Sequence, residues 1–313
     1  MKHAKVYSLI FLWVLVFGNF SPLQEAKAAA MDSAPGISTP EAQTISRILG
    51  RAGFFKEGVY KITFPRNDLH VIVEGIPIKP TLALVSWAAF QKIGTISLVM
   101  GDLALRREEV SPVLFDFEKQ GFSVTALHNH LLNEKPRILF MHFSGKGDPG
   151  RLSRAIKHAL SLTDTPLSIS PISKNKAKIP ERTQKAYHQI EQILGIHGIV
   201  NGGVLQIGIP VWQTYRGHDH TIVLPMMGTG TGLAFQATRT GVVATGDFAL
   251  TRDKVKPVIH ALLRSGIKIT ALHTHMLDIR PMLFYLHFWG NGTPKAIAKG
   301  VREALLEANR APK

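Results

Sequence analysis

The chain repeats itself at one fixed offset, and this limits what it can fold into more than any other feature. His128-Asn129-His130 returns 145 residues later as His273-Thr274-His275. The same shift carries Ile48-Leu49-Gly50 to Ile193-Leu194-Gly195 and Ala89-Phe90-Gln91 to Ala234-Phe235-Gln236. It also carries Gly101-Asp102 to Gly246-Asp247 and His142-Phe143 to His287-Phe288. A repeat this long is not a solenoid unit, which runs about 20–50 residues; it means two homologous domains in tandem. The 313 residues are enough for two such domains.

Within each repeat the apolar spacing alternates between strand and helix periods. Thr39-Pro40-Glu41 reads as a helix start and Gly50 as its end. Val59 to Phe64 and Leu69 to Val73 read as strands joined by a hairpin across Pro65 to Asp68. Thr95 to Met100 is a further strand. Val110, Val113, Leu114 and Phe117 then form one helical stripe, repeated as Val255, Val258, Ile259 and Leu262. Ser123 to His130 and Arg137 to Phe143 read as strands, and Leu152, Ala155, Ile156, Ala159 and Leu160 stripe a last helix. The expected class is α+β: two tandem homologous domains, each a mixed sheet with a β-α-β-β-α C-terminal half. The expected layout is a signal peptide at 1–30, repeat domain 1 at 39–162, a basic linker at 163–185 and repeat domain 2 at 186–309. The linker reading rests on Pro166, Pro171 and Pro180 with Lys174, Lys176 and Lys178.

The histidines carry the chemistry. No cysteine is present, which excludes thiolate catalysis, cysteine-zinc sites, disulfides and lipidation at a lipoprotein cysteine. Side chains at i and i+2 of a strand share a face, so His128 and His130 present two imidazoles with Cα atoms about 7 Å apart, within reach of one metal ion. His142 adds a third nitrogen from the next strand, and Glu134, in the intervening loop, supplies a candidate general acid or base. A tight loop would leave His142 about 13 Å along from His128. A three-histidine site therefore requires a wide loop, a shifted pairing, or a site spanning both repeats. His273, His275 and His287 are the matching set. The alternatives are a metal-free, hydrogen-bonded polar cleft and histidines that only pack. The metal, if there is one, would be a divalent ion of the zinc type.

The other polar candidates differ between the copies. Asp102 follows a glycine at a strand end and reads either as a carboxylate that orients a histidine or as a turn or cap residue. Arg66 and Asp68 sit in a turn whose second copy reads Pro210-Val211-Trp212-Gln213, without charge. Glu134 and Arg137 become Ile279 and Met282, with Asp278 one position away from the first. This asymmetry points to copy one as the working site and copy two as the weaker. Gly228, Gly230 and Gly232 lack the flanking strand and helix of a phosphate loop. H-E-x-x-H, G-x-S-x-G and the P-loop are all missing from the sequence.

Several strings resemble the LppY/LpqO family. They are Val59-Tyr60-Lys61-Ile62-Thr63-Phe64-Pro65-Arg66, Ser86-Trp87-Ala88-Ala89-Phe90, Gly101-Asp102-Leu103 and Ala126-Leu127-His128-Asn129-His130-Leu131-Leu132-Asn133-Glu134. Pro136-Arg137 and His142-Phe143 with Gly147-Asp148-Pro149 add to it, and in the second copy so do Gly246-Asp247-Phe248 and His287-Phe288-Trp289-Gly290. The resemblance implies an exported bacterial protein of unknown function; some members are lipoproteins and some are described as peptidoglycan-binding. It also draws Asn129 into the candidate ligand-binding set with Arg66, Asp68, Asp102 and Arg137. The chain departs from the pattern in lacking a lipoprotein cysteine and in reading His273-Thr274-His275-Met276-Leu277-Asp278-Ile279-Arg280-Pro281-Met282 in its second motif.

Charge completes the sequence-level picture. Lys and Arg number 37 against 22 Asp and Glu, a formal charge of +15, which favours anionic partners. Lys2, His3 and Lys5, the apolar run Val6 to Phe20, and the small residues Ala26-Lys27-Ala28 to Ala30 read as a secretory signal. The expectation is a secreted protein, periplasmic or extracellular, not a lipoprotein and without a membrane span after cleavage. It would bind anionic cell-wall polymer or a small molecule rather than nucleic acid. The alternative is a metal-dependent hydrolase or lyase. N-terminal sequencing of protein from the periplasm or medium should find a start near Ala28 to Met31; a cytosolic chain that still begins at Met1 would refute export.

Overall fold

The computed structural model describes residues 36–167, 179–210 and 213–310. The expected signal peptide and the middle of the linker lie outside the described residues. The first repeat runs α1 (Thr39–Leu49), β1 (Phe54–Lys56), β2 (Val59–Pro65), β3 (Ile72–Val73), β4 (Ile76–Pro77), α2 (Pro80–Ala83), β5 (Val85–Ile93) and β6 (Ile96–Arg106). It continues with α3 (Arg107–Lys119), β7 (Ser123–His128), β8 (Glu134–Lys135), β9 (Ile138–Gly147) and α4 (Pro149–Ser161). The second runs α5 (Glu181–Leu194), β10 (Ile199–Asn201), β11 (Val204–Ile209), β12 (Tyr215–Gly217), β13 (Ile222–Val223), a 3-10 turn at Pro225–Met227, β14 (Thr231–Ala237) and β15 (Val242–Leu250). Then come α6 (Arg252–Arg264), β16 (Lys268–His273), β17 (Ile279–Arg280), β18 (Phe284–Gly292) and α7 (Pro294–Asn309). Helix α5 thus begins inside the stretch expected as linker.

Each repeat builds the same six-stranded sheet, in the orders β1-β2-β5-β6-β9-β7 and β10-β11-β14-β15-β18-β16. The α+β class and the repeated halves are as expected, with one correction: every pairing is antiparallel, not mixed. The crossover β6-α3-β7 would by itself set two parallel strands side by side. β9 inserts between them and pairs antiparallel with both.

Local chemistry sets the element ends. Ser38, one residue before the expected cap, closes a capping box with Glu41, and Gly50 takes the left-handed conformation that ends α1. The repeated glycine of Gly-Asp is steric. A Cβ on Gly101 would lie 2.3 Å from the Phe143 ring, and one on Gly246 would lie 2.1 Å from the Gly232 carbonyl oxygen.

Alternation along β6 separates two cores. Val99, Leu103 and Leu105 pack under α1, α3 and α4 with Phe90, Phe117 and Phe143. Leu98, Met100 and Ala104 point the other way, toward the second repeat. There Phe140 and Ala104 share a core with Val243 and Trp289, and Val59 and Met100 share one with Tyr215 and Tyr285. The layers run helix, sheet, sheet, helix, and the described residues of both repeats fall in one compact unit.

The expected hairpin across Pro65 to Asp68 does not form. β2 pairs with β5 instead, and β3 joins β4 and β8 in a small separate sheet. The chain is turned by Arg66, whose N–H donates to the Leu84 carbonyl. Its guanidinium, fully buried, donates to both Asp68 oxygens, to both Glu109 oxygens (2.9 and 3.1 Å) and to the Ala104 carbonyl. Glu109 sits in the first turn of α3, so this clasp fixes the helix to the end of β2. Arg66→Met would leave the buried Glu109 without its partner, and the expected loss is about 3–5 kcal/mol of unfolding free energy. Urea titration of variant and wild type measures it; an unchanged midpoint would rule out the clasp.

Candidate functional site

His128 ends β7, His130 follows in the loop and His142 lies on β9; His273, His275 and His287 repeat this on β16 and β18. The wide loop is what brings the first three together. His128 pairs with Phe140, Ala126 pairs with His142, and a bulge falls between Val124 and Ala126. The His128 and His142 ring centroids are 5.1 Å apart, as are those of His128 and His130.

The two sets do not stay apart. They meet face to face across the seam between the sheets. The rings of His128 and His273 stack with centroids 3.5 Å apart, His142 and His275 at 3.8 Å, and His130 and His287 at 4.1 Å. Phe140 covers His130 at 3.4 Å and Tyr285 covers His275 at 3.3 Å. Each repeat also braces the other's motif: Thr125 Oγ1 donates to the His275 carbonyl and Thr270 Oγ1 to the His130 carbonyl, both at 2.6 Å. The arrangement is close to two-fold symmetric.

One atom each from His128, His273, His275 and His287 lie within 4.8 Å of one another, a set that could hold a metal ion. Three of these four residues come from copy two, so the convergence is not confined to copy one as the copy differences suggested. Eight ring nitrogens of the six histidines have no hydrogen-bond partner among the described residues, nor has Asp102 Oδ1. His287 Nδ1 donates to the Gly246 carbonyl at 3.2 Å, and His142 makes the matching contact with Gly101. A ring nitrogen committed to backbone leaves Nε2 as the free ligand atom.

Burial controls the protonation of the cluster. It pushes His128 down to about 2, helped by His273, and His273 down to about 4; the other four fall well below the ordinary histidine value. All six are therefore neutral at pH 7, the form that binds metals. Asp102 faces them, its Oδ2 3.7 Å from His130 Nε2 and 3.8 Å from His142 Nε2. Burial, then the charge of Asp247, holds the Asp102 carboxyl well above the usual range, and burial raises Asp247 to about 6.

A cleft of about 820 Å³ opens onto this centre, lined by Lys61, Trp87, Asp102, His142, Asp247 and His275 among others. The cleft is one-sided because the repeats differ there. Lys61 and Trp87 correspond to Gln206 and Gly232. The glycines at 228, 230 and 232 precede or enter a strand rather than a helix, and they leave room for the cleft. The Lys61 ammonium lies 3.7 Å from the Trp87 ring centroid. Burial lowers it to about 8, against the pull of Asp247 and Asp102.

The remaining sequence candidates lie elsewhere. Arg66 and Asp68 form the clasp described above and are not part of the cleft lining. Glu134 is buried on β8, its carboxyl raised by burial, with neither oxygen partnered among the described residues and no place in the lining. Arg137 is exposed. The Asn129 amide donates to the Leu131 and Thr270 carbonyls and so ties the repeats together. Sequence reasoning did not single out Lys61 or Trp87 as site residues. Their contrast with Gln206 and Gly232 at the repeat offset was the available signal.

The low histidine values fix the sign of the pH response. Unfolded imidazoles take up protons near 6.5, whereas folded His273 waits until about 4 and His128 until about 2. Over that window the unfolded state binds more protons, so stability falls as pH drops. Asp247, raised to about 6, acts oppositely between 3.8 and 6, as do the raised carboxyls of Asp102 and Glu134, but six histidines outweigh three carboxyls. The melting temperature of chelator-treated protein should drop steeply from pH 7 to pH 4; a flat or rising profile would contradict neutral burial.

Comparison with known proteins bears on the repeat. A family model described as Domain of Unknown Function (DUF1259) matches residues 43–162 and again 188–307, the same 145-residue shift. No curated protein and no solved structure matches the chain.

Proposed function

We propose, for a chain that belongs to the DUF1259 family and carries its domain twice, that the protein binds a divalent metal ion of the zinc type on His128, His273, His275 and His287, beside a cleft for a small anionic ligand. The observation that carries this is the convergence of four histidines, neutral and with unpartnered ring nitrogens, in a buried seam. An unpaired buried polar atom costs about 1–3 kcal/mol, so a cluster of them facing one another is unfavourable until a cation fills it. Neutral imidazole lone pairs are the donors zinc-type ions prefer. Lys61 in the cleft and the +15 charge of the chain favour an anionic ligand. The signal-like N-terminus and the resemblance to LppY/LpqO proteins support a secreted cell-envelope protein, for which anionic cell-wall material is the natural ligand class.

The cleft favours one second reading, a metal-dependent hydrolase or lyase. A bound ion would polarise a carbonyl or lower the pKa of water. The carboxyls placed to move a proton there are Asp102 and Asp247, which line the cleft as Glu134 does not.

Untagged protein, exchanged into metal-free buffer and reloaded, should retain at least one zinc-type ion per chain by plasma mass spectrometry. His128→Ala with His273→Ala should weaken that binding at least tenfold. A wild type that retains no ion, or a double variant that binds as tightly as wild type, would refute the reading.

A further inference from the structure

Lys61 stands in the cleft without a polar partner. It lies on β2 between Val59 and Thr63, on the sheet face turned toward the second repeat. Opposite it on β5 is Ala89, too small to crowd it, and its diagonal neighbour there is Trp87. The indole is itself held in place: a Cβ on Gly228 would come within 3.0 Å of the ring, so bare backbone of the second repeat abuts its edge. The Lys61 ammonium rests 3.7 Å from the ring centroid, which shuts off water on that side. Asp102 and Asp247 line the same cleft, yet Lys61 Nζ makes no hydrogen bond or ion pair with any described residue.

The second repeat shows a tied version of the same position. Gln206 Nε2 donates to the Thr81 carbonyl of the first repeat at 2.7 Å. That amide is committed to structure, whereas the matching amine is not. A lysine left over in a cleft serves either as a clamp for an anion or as a nucleophile. A clamp works best with a lasting charge, as an arginine supplies. Here burial works against the charge. It lowers Lys61 to about 8, so about a tenth of it is neutral at pH 7, against roughly four parts in ten thousand for an ordinary lysine. The neutral amine carries the lone pair that attacks a carbonyl carbon.

From this we infer that Lys61 is a carbonyl-reactive amine, which condenses reversibly with a small aldehyde or ketone bound in the cleft. The nitrogen lone pair forms a C–N bond to the carbonyl carbon. The carbonyl oxygen takes both amine hydrogens and leaves as water, so that a C=N bond remains. Nothing is oxidised or reduced. The cleft, at about 820 Å³, has room for such a molecule, and Gly230 and Gly232 on its other wall carry no side chains to block the approach to the nitrogen. The inference rests on the ligand cleft of the reading above and not on its metal. Among the anionic ligands of that reading it selects those with an aldehyde or ketone group.

The test uses wild-type untagged protein freed of metal with a chelator, so no variant has to fold. It is incubated with glyoxylate, a small anionic aldehyde, and with cyanoborohydride, which reduces an imine to a stable carboxymethyl amine. Peptide mass mapping then reads the label on each lysine. Lys61 should be labelled at least tenfold faster than Lys185, whose side chain is 77% exposed. Its rate should level off as glyoxylate rises, while that of Lys185 stays proportional, and both distinctions should vanish in guanidinium chloride. Labelling of Lys61 no faster than that of Lys185, or without saturation, overturns the inference and leaves the metal reading intact, because the histidines take no part. A preference that persists in guanidinium chloride also overturns it, since it would then owe nothing to the cleft.

Discussion

Six imidazoles share a seam between two sheets, and the rest of the molecule is arranged around keeping them there. Burial, and the repulsion that charged rings would exert on one another, keep them neutral, so unpartnered lone pairs face one another. Nothing in one repeat alone could enforce this. The rings are held by stacking across the seam, by the covers Phe140 and Tyr285, and by threonine hydroxyls that reach over to the opposite repeat's backbone. The apolar cores between the sheets draw on both repeats as well. The duplicated domains are therefore halves of one histidine cluster, and parting them would expose both the cores and the histidines.

Near-symmetry makes the centre, and departures from it make the cleft. At three matched positions the copies differ in what surrounds them: Lys61 against Gln206, Trp87 against Gly232, and an aspartate turned to histidines against one turned to backbone. A bulky ring on one side and a run of glycines on the other open space along one flank only. That flank carries Lys61, stacked on the Trp87 indole, with Asp102, Asp247 and four of the histidines. The cleft therefore has two unlike walls, an indole and a lysine on one and glycines on the other.

Much of this was legible in the sequence. The 145-residue shift between Gly101-Asp102 and Gly246-Asp247, and between His128 and His273, announced two like domains, and the apolar stripes announced their helices and strands. The His-x-His pairs marked the chemistry, because period-two spacing puts both rings on one face of a strand. Charged residues took positions that the sequence did not indicate. Arg66 and Asp68 looked like site residues in a turn, yet the guanidinium is a buried clasp on α3. Glu134 and Arg137 lay close to the histidines in sequence but fall on and beside a small separate sheet. Proximity along the chain says little once a loop is wide enough to carry its own strand.

What the sequence determined by itself was local and periodic: the repeat, the element types, and the pairs of histidines at strand ends. Those follow from backbone sterics and from which side chains face the same way, and both act over a few residues. The tertiary structure decided which histidines meet, and it set His128 against His273 rather than leaving each trio to itself. It also placed Lys61 and Trp87 on the cleft wall and Arg66 away from it. These outcomes depend on how two sheets stack. Contacts across a stacked interface join residues far apart in the chain, and no periodicity in either partner encodes them.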